Sequence, residues 1–272
     1  MTDAHVIQQI LQRFGLTPNR ALGQNFLADP DAAAQIAEAA CAGGLPVLEI
    51  GPGLGALTGA LLKGAPRVCA VEIDAAMIAA LGALFEGEPN LRLYHADFLK
   101  ADLNQIYREA LRGPFAVAAN LPYYATTPIC MRLLTSALPA LRMALMLQTE
   151  AAARFFARPR EKVYGPLAVL AQYGYEVAEL LRLSPGSYYP QPSVDSTVVL
   201  LTKNDREPLS NLPALLHMAF AMRRKTLANN LKALPGAPGA MARCGISPQA
   251  RAEELTPEEF AALAKELDLP TP

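Results

Sequence analysis

The stretch Pro46-Val47-Leu48-Glu49-Ile50-Gly51-Pro52-Gly53-Leu54-Gly55-Ala56-Leu57 decides the fold. Residues 46–50 read as a short apolar strand of the kind buried on both faces of a sheet. Glycines at 51, 53 and 55 follow, and residues 57–63 read as a helix. A strand that turns through glycines into a helix lets backbone approach a ligand closely and points a helix N-terminus at it.

The same alternation continues along the chain. Residues 67–73, 91–95, 115–119, 143–147, 174–181 and 196–202 read as further strands, and 75–85 as a helix. Short apolar strands alternating with helices predict an α/β fold with a mostly parallel, Rossmann-like sheet covered on both faces. Upstream, Val6, Ile7, Ile10, Leu11 and Phe14 recur at helical spacing and Gly15 ends the run. Residues 17–27 read as a linker, and Asp29-Pro30 opens an Ala-rich helix to about Ala42, with Asp29 as N-cap. After Asn204 the pattern changes. Residues 213–231 read as one helix, Pro235-Gly236-Ala237-Pro238-Gly239 as a linker, and Thr256-Pro257-Glu258-Glu259 as the start of a last helix. The organisation expected is a sheet domain with an N-terminal helical extension over residues 1–204, and a small all-helical domain over 205–272.

Of the 272 residues, 52% are hydrophobic and 18% charged, enough apolar material for a core and no signature of disorder. No apolar run approaches the roughly 18 residues of a membrane span, and Met1-Thr2-Asp3-Ala4-His5 lacks the basic and apolar regions of a signal peptide. A cytoplasmic protein without membrane association is expected. Cys41, Cys69, Cys130 and Cys244 form no paired spacing, and His5, His95 and His217 stand alone, so neither a disulfide framework nor a metal site is indicated.

The net charge of −1 conceals separate blocks. Residues 29–102 carry ten acidic and four basic side chains, whereas 132–162 carry six basic against two acidic and 203–251 eight basic against two. An acidic half and a basic face fit a protein that meets phosphate on one side. Chance clustering on a solvated surface gives the same pattern.

Glu72 ends the second strand of the alternation, 21 residues beyond Gly51, the spacing that sets a carboxylate over the ribose of an adenosine cofactor. Asp97 ends the third and can reach the adenine amino group. Nicotinamide dinucleotides and S-adenosylmethionine both fit this frame. The run G-P-G-L-G, preceded by Glu49, favours S-adenosylmethionine, because a carboxylate at the strand tip suits a cationic sulfonium better than a pyrophosphate.

The fourth strand ends in Asn120-Leu121-Pro122-Tyr123-Tyr124. The exocyclic amine of a base is a poor nucleophile, since its lone pair is delocalised into the ring. The Asn120 side-chain oxygen and the Leu121 carbonyl can accept its hydrogen bonds and draw the nitrogen toward tetrahedral geometry. Pro122 stiffens the loop, and Tyr123 offers a face for stacking.

Taken together these motifs resemble the KsgA (RsmA) family of 16S rRNA adenine dimethyltransferases. The resemblance runs through Gly23-Gln24-Asn25-Phe26-Leu27, residues 49–55, Val71-Glu72-Ile73-Asp74, Ala96-Asp97-Phe98 and Asn120-Leu121-Pro122-Tyr123. It continues through residues 146–150, Tyr164-Gly165-Pro166-Leu167, Pro190 to Ser196, and Ala219 to Leu227, which looks like the family's C-terminal helix. The resemblance implies a class I methyltransferase sheet and a cofactor site of Gln24, Asn25, Leu27, Gly51, Gly53, Glu72, Ile73, Asp97, Phe98 and Asn120. It implies that Asn120, Leu121, Pro122 and Tyr123 hold the target adenine and that Tyr188 closes its other face. The implied product cofactor is S-adenosylhomocysteine, the implied partner is 16S rRNA of the small subunit late in ribosome assembly, and a monomer is expected. Arg223, Arg224, Lys225 and Lys232 would form the phosphate-binding surface, and Arg132 and Arg142 are read as ordinary surface residues. The chain departs from the family pattern in three places: only Arg20 is basic before Gly23, Tyr124 stands where Asn is common, and Tyr188 where Phe is common. Two other functions remain in view: a 23S rRNA adenine methyltransferase of the erythromycin-resistance type, and a catalytically idle rRNA-binding assembly factor. A nicotinamide oxidoreductase is more distant, because no hydride-handling constellation is visible.

Overall fold

In the computed structural model, which describes residues 3–19 and 22–269, strands and helices alternate from the first third of the chain onward. The order is α1 (Ala4–Phe14), β1 (Phe26–Leu27), α2 (Pro30–Cys41), β2 (Val47–Ile50), α3 (Ala56–Leu61), β3 (Val68–Glu72), α4 (Ala75–Leu84), β4 (Leu91–His95) and α5 (Leu103–Ile106). There follow β5 (Phe115–Asn120), α6 (Thr126–Thr135), β6 (Ala140–Gln148), α7 (Thr149–Phe156), α8 (Pro166–Gly174), β7 (Tyr175–Leu183), β8 (Tyr188–Tyr189) and β9 (Ser196–Lys203). The chain ends in α9 (Leu212–Ala219), α10 (Leu227–Asn230), α11 (Ala237–Arg243) and α12 (Pro257–Lys265). Arg20, the basic residue singled out before Gly23, lies outside the described residues, as do Met1 and Thr2.

Among the described residues, seven strands form one sheet in the order β4-β3-β2-β5-β6-β9-β7. β2 pairs in parallel with β3 and β5, β3 with β4, and β5 with β6, while β9 runs antiparallel to β6. This is the Rossmann-like α/β sheet expected. β2, β3 and the first five residues of β5 are buried, as unbroken apolar runs require when helices cover both faces. A separate two-stranded ribbon pairs Phe26 with Tyr189 and Leu27 with Tyr188. Two-residue strands carry no periodicity, so nothing in the sequence announces them.

Two compact units divide the chain. The first holds the chain up to Ile129, then Leu138–Ala152 and Ala178–Thr202; the second holds Cys130–Ala137, Ala153–Val177 and the chain from Lys203. The sequence reading places a single boundary after residue 204. Residues 130–137 and 153–177 sit with the second unit because Met131, Leu134, Tyr164, Val169 and Leu170 belong to its core.

In the first unit, α2 and α3 bury Ile36, Leu57 and Leu61 against Val47, Val68, Ala116 and Val198 of the sheet. Ile7, Ile10 and Leu11 of α1 pack with Phe26, Leu54 and Met77. Asp29 caps α2, accepting from the Ala32 amide at 3.0 Å, and Pro30 occupies the first turn, where its missing N–H costs nothing.

The second unit is helical around Tyr164, Phe220 and Phe260. The buried Tyr164 hydroxyl donates to the Leu255 carbonyl at 2.7 Å. Thr256 and Glu259 form a reciprocal capping box on α12, a device worth about 1 kcal/mol. Two sequence expectations are corrected here. Residues 213–231 are not one helix: α9 stops at Ala219 and α10 starts at Leu227. The Asn230 amide donates to the carbonyls of Ala219 and Met222, and Thr226 caps α10 by accepting from the Asn229 amide, so side chains take the place of helical hydrogen bonds. Residues 235–239 are not only a linker, because α11 begins at Ala237 with Pro238 in its first turn behind Gly236 at φ 80°.

Candidate functional site

The strand order reverses at β2, with β3 on one side and β5 on the other. In an open parallel sheet this opens a crevice at the carboxyl ends of the two strands, where ligands bind. A cavity lies there, lined by residues 22–27, 49–54, 56–57, 71–73, 96–99, 120–125 and Ile129. It therefore brings together Gln24, Asn25, Leu27, Gly51, Gly53, Glu72, Ile73, Asp97, Phe98, Asn120, Leu121, Pro122 and Tyr123 from the sequence reading.

The glycine turn does more packing than the sequence suggests. A Cβ on Gly55, at φ 82°, would come within 2.4 Å of the Phe85 ring, and one on Gly53 within 3.0 Å of the Phe26 ring. These two positions lack side chains so that neighbouring aromatics can close. The Gly53 amide donates to Glu72 Oε2 at 3.1 Å, which makes it a support for the acid.

Three carboxylates stand at successive strand tips, and among the described residues no Lys, Arg or His lines the cavity. Glu72 is buried with both oxygens held, Oε2 by Gly53 and Oε1 by the Asp74 amide at 3.0 Å. Burial raises its pKa and these backbone donors pull it back. Asp97 accepts from the Leu99 amide at 2.9 Å and meets the exposed Lys100 ammonium at 3.4 Å. Glu49 differs. It is 1% exposed, and Thr58 Oγ1 donates to Oε2 at 2.7 Å, while Oε1 is buried with no hydrogen-bond partner among the described residues. Burial, opposed by Thr58 and reinforced by the charge of Glu72, pushes its pKa up to about 8. A buried acceptor left unpaired is costly, and a cation in the cavity would pair it. S-adenosylmethionine carries an ammonium and a sulfonium, so these carboxylates fit that cofactor; a pyrophosphate finds no positive side chain among the described lining residues.

The tip of β5 carries the acceptor loop. Asn120 Nδ2 donates to the Asn25 carbonyl at 2.9 Å. A carbonyl can only accept, so this bond fixes which end of the amide is which and leaves Oδ1 as an acceptor. The Pro122 carbonyl accepts from the Ala125 amide at 3.1 Å and from Thr126 Oγ1 at 3.0 Å, which pins the loop to the first turn of α6. Leu121 donates its amide to the Met146 carbonyl at 3.0 Å and buries its side chain.

Tyr123 lines the cavity with its hydroxyl buried beside Ser196. Tyr188 does not line the cavity. It is 2% exposed, paired to Leu27 in the β1–β8 ribbon and packed in the core under the sheet. Desolvation raises the pKa of both phenols, with Ser196 pulling back. The segment before β1 is tied in by side chains, since Gln24 donates to Asp74 Oδ2 at 2.9 Å and accepts from the Asn19 amide at 2.8 Å. The sequence reading did not single out Thr58, and it noted Tyr124 only as a departure from the family pattern, without a site role. The first has no sequence signal beyond its place one turn into α3, and the second follows the acceptor motif directly.

The basic residues belong to the second unit, and here too the structure corrects the helical reading. Arg223, Arg224 and Lys225 are exposed in the turn between α9 and α10, and Lys232 is exposed just beyond α10. Arg223 donates to the Glu253 carboxylate and to the Lys162 carbonyl, both at 3.1 Å. Among the described residues Arg224, Lys225 and Lys232 form no ion pair. In the first unit, Arg142 reaches the Ala39 carbonyl at 2.9 Å, a structural contact. The four cysteines are free, no cluster of described residues can hold a metal, and no described helix is long and apolar enough to cross a membrane.

A family model described as "Ribosomal RNA adenine dimethylase" matches residues 2–269. The chain is 42% identical over 274 residues to a "Ribosomal RNA small subunit methyltransferase A" of Moorella thermoacetica (strain ATCC 39073 / JCM 9320), covering 95% of each protein. It is 40% identical over 276 residues to the protein of the same name from Shouchella clausii (strain KSM-K16), covering 95% of this chain and 92% of that one. Among solved structures it is similar to a dimethyladenosine transferase from Plasmodium falciparum, with 25% identity, a TM-score of 0.69 and coverage of 87% and 95%. It is also similar to the 23S rRNA methyltransferase ErmE, with 28% identity, a TM-score of 0.63 and coverage of 90% and 100%.

Proposed function

The chain belongs to the ribosomal RNA adenine dimethylase family, and on that premise we propose that it dimethylates two adjacent adenines in the 3′-terminal hairpin loop of 16S rRNA. In this reading it acts as a cytoplasmic monomer on the small subunit, late in ribosome assembly. When bound, S-adenosylmethionine supplies an electrophilic methyl group on a cationic sulfur and leaves as S-adenosylhomocysteine.

The observation that carries the reading is that the acceptor loop at the tip of β5 and the carboxylates at the tips of β2, β3 and β4 open into the same cavity. Glu72, with both oxygens fixed, is placed to take the ribose hydroxyls, and Asp97 the adenine amine. Ile73 and Phe98 supply apolar surface for the adenine ring. Glu49 faces the positive end of the ligand. Asn120 Oδ1 and the Leu121 carbonyl accept from the target amine and hold its nitrogen for in-line approach, while Tyr123 stacks on the base. No strong general base is required, because the amine sheds its proton after transfer. The work of the protein is orientation. Arg223, Arg224, Lys225 and Lys232 hold phosphates and set register without reading sequence.

The test is methyl transfer from labelled S-adenosylmethionine to small subunits lacking the modification, with naked large-subunit rRNA alongside. Dimethyladenine in the small subunit alone is the expected result. Label in large-subunit rRNA would favour the resistance-type reading, toward which the likeness to ErmE points only as a related family. Cofactor binding with no label anywhere would favour an idle assembly factor.

A further inference from the structure

Tyr124 follows the acceptor tetrapeptide, lines the cavity and is 57% exposed. Its ring leans toward the segment before β1: a methyl group built on the Gly23 α-carbon would lie 3.9 Å from Tyr124 Cδ1. Partial burial, and then the charges of Asp97 and Glu72, push the phenol above its ordinary pKa, which sets Tyr124 within electrostatic reach of these two carboxylates. Those carboxylates serve the adenosine half of the cavity. The groups that would hold the target base belong to other residues of the same loop. Asn120 presents Oδ1, Leu121 its carbonyl, and Tyr123 a ring whose hydroxyl is already buried. An exposed aromatic ring between Gly23 and two ribose- and adenine-facing acids has the position of a cover for the nucleoside, and its hydroxyl is a hydrogen-bond donor among acceptors.

We propose that Tyr124 is a further cofactor-binding residue: its ring closes the cavity mouth over the adenosine, its hydroxyl donates to the ribose hydroxyls beside Glu72, and together they slow cofactor release. The inference rests on reading the cavity as the S-adenosylmethionine site. It makes Tyr124 a residue that acts on the cofactor and not a stacking platform for rRNA.

The full-length chain and its Tyr124→Phe and Tyr124→Asn variants are compared without RNA. Calorimetry gives the affinity for S-adenosylmethionine and S-adenosylhomocysteine, and stopped-flow displacement gives their dissociation rates. Loss of one neutral hydrogen bond predicts about threefold weaker binding for Tyr124→Phe, and loss of ring and hydroxyl together about tenfold or more for Tyr124→Asn, expressed mainly as faster release. Because the residue is exposed, the melting temperature of the ligand-free variants should match the parent. Unchanged affinity and release in both variants would overturn the inference. A parent chain that binds neither ligand would instead overturn the cofactor reading beneath it.

Discussion

The carboxylates at the strand tips and the basic residues of the 223–225 turn are both charged groups given a functional role, yet the fold treats them in opposite ways. Glu72 has both oxygens on backbone amides, Asp97 has one, and Asn120 has its amide sorted by the Asn25 carbonyl. Arg224, Lys225 and Lys232 extend into solvent with no ion pair among the described residues, and Arg223 is held only by partly exposed contacts. The difference matches what the proposed function asks of each. A methyl transfer loses rate when an acceptor shifts by a fraction of an ångström, so its groups are fixed before substrate arrives. Phosphate contacts act through charge and counterion release, which flexible side chains deliver as well as rigid ones.

The sharpest way to break this contrast is at Asn120. Asn120→Ala should lower methyl transfer about a hundredfold or more, the scale of removing one group aimed at a transition state, while small-subunit binding and the melting temperature stay near those of the parent. Full activity would deny the loop its role. Next in size is Glu72→Ala. Loss of hydrogen bonds to a charged acceptor should weaken S-adenosylmethionine binding by about ten- to a hundredfold, and unchanged affinity in calorimetry would contradict the ribose assignment.

On the other side of the comparison, the Arg223→Ala, Arg224→Ala, Lys225→Ala triple variant should bind small subunits about tenfold more weakly at physiological salt. Its salt dependence should also be shallower by about two contacts, because Arg223 is already partnered by Glu253. Normal binding with an unaltered salt slope would place the rRNA elsewhere.

The smallest expected effect is a titration of Glu49. Burial pushes its pKa in the folded chain up to about 8 from an ordinary 4.5, so the free protein should carry a proton there at neutral pH. A cation bound beside it favours the carboxylate, so binding releases the proton, and affinity should rise about tenfold between pH 7 and 9. The same shift should make the ligand-free chain less stable as pH rises from about 4.5 toward 8, since the folded form binds the proton more tightly than the unfolded one. Glu49→Gln should flatten both profiles. A parent profile already flat across this range would return Glu49 to an ordinary ionised acid.

The sheet was legible because its rules are geometric. The runs at 46–50, 67–73 and 115–119 specify buried parallel strands, found at Val47–Ile50, Val68–Glu72 and Phe115–Asn120, and once these are adjacent, their ends set Glu49, Glu72 and Asn120 around one crevice. Asp97 follows β4 by the same logic. What escaped the sequence depends on contacts between distant residues. Thr58 finds Glu49 across nine residues, and Gln24 finds Asp74 across fifty. The helix expected through Arg223 is broken by Asn230 and Thr226, whose amide and hydroxyl compete locally with helical bonds. α6, α7 and α8 went unread because Thr126-Thr127-Pro128, Thr149-Glu150 and Gly165-Pro166 look like turns until their apolar residues are seen to be buried. Tyr188 shows the limit on the functional side: its motif marks a base-stacking residue, while the fold buries it in the ribbon with Leu27. Its contact with a base would require the ring to reach the cavity from that position.

If methyl transfer resides in the strand-tip cavity and subunit adhesion in the basic turn, the two separate when single-turnover methylation and small-subunit affinity are measured together for the parent chain, Asn120→Ala and the triple Arg223, Arg224 and Lys225 variant. Asn120→Ala should bind subunits normally and transfer almost nothing. The triple variant should bind weakly and regain the parent rate once subunits are saturating. Equal losses of rate and affinity in both variants would contradict that separation.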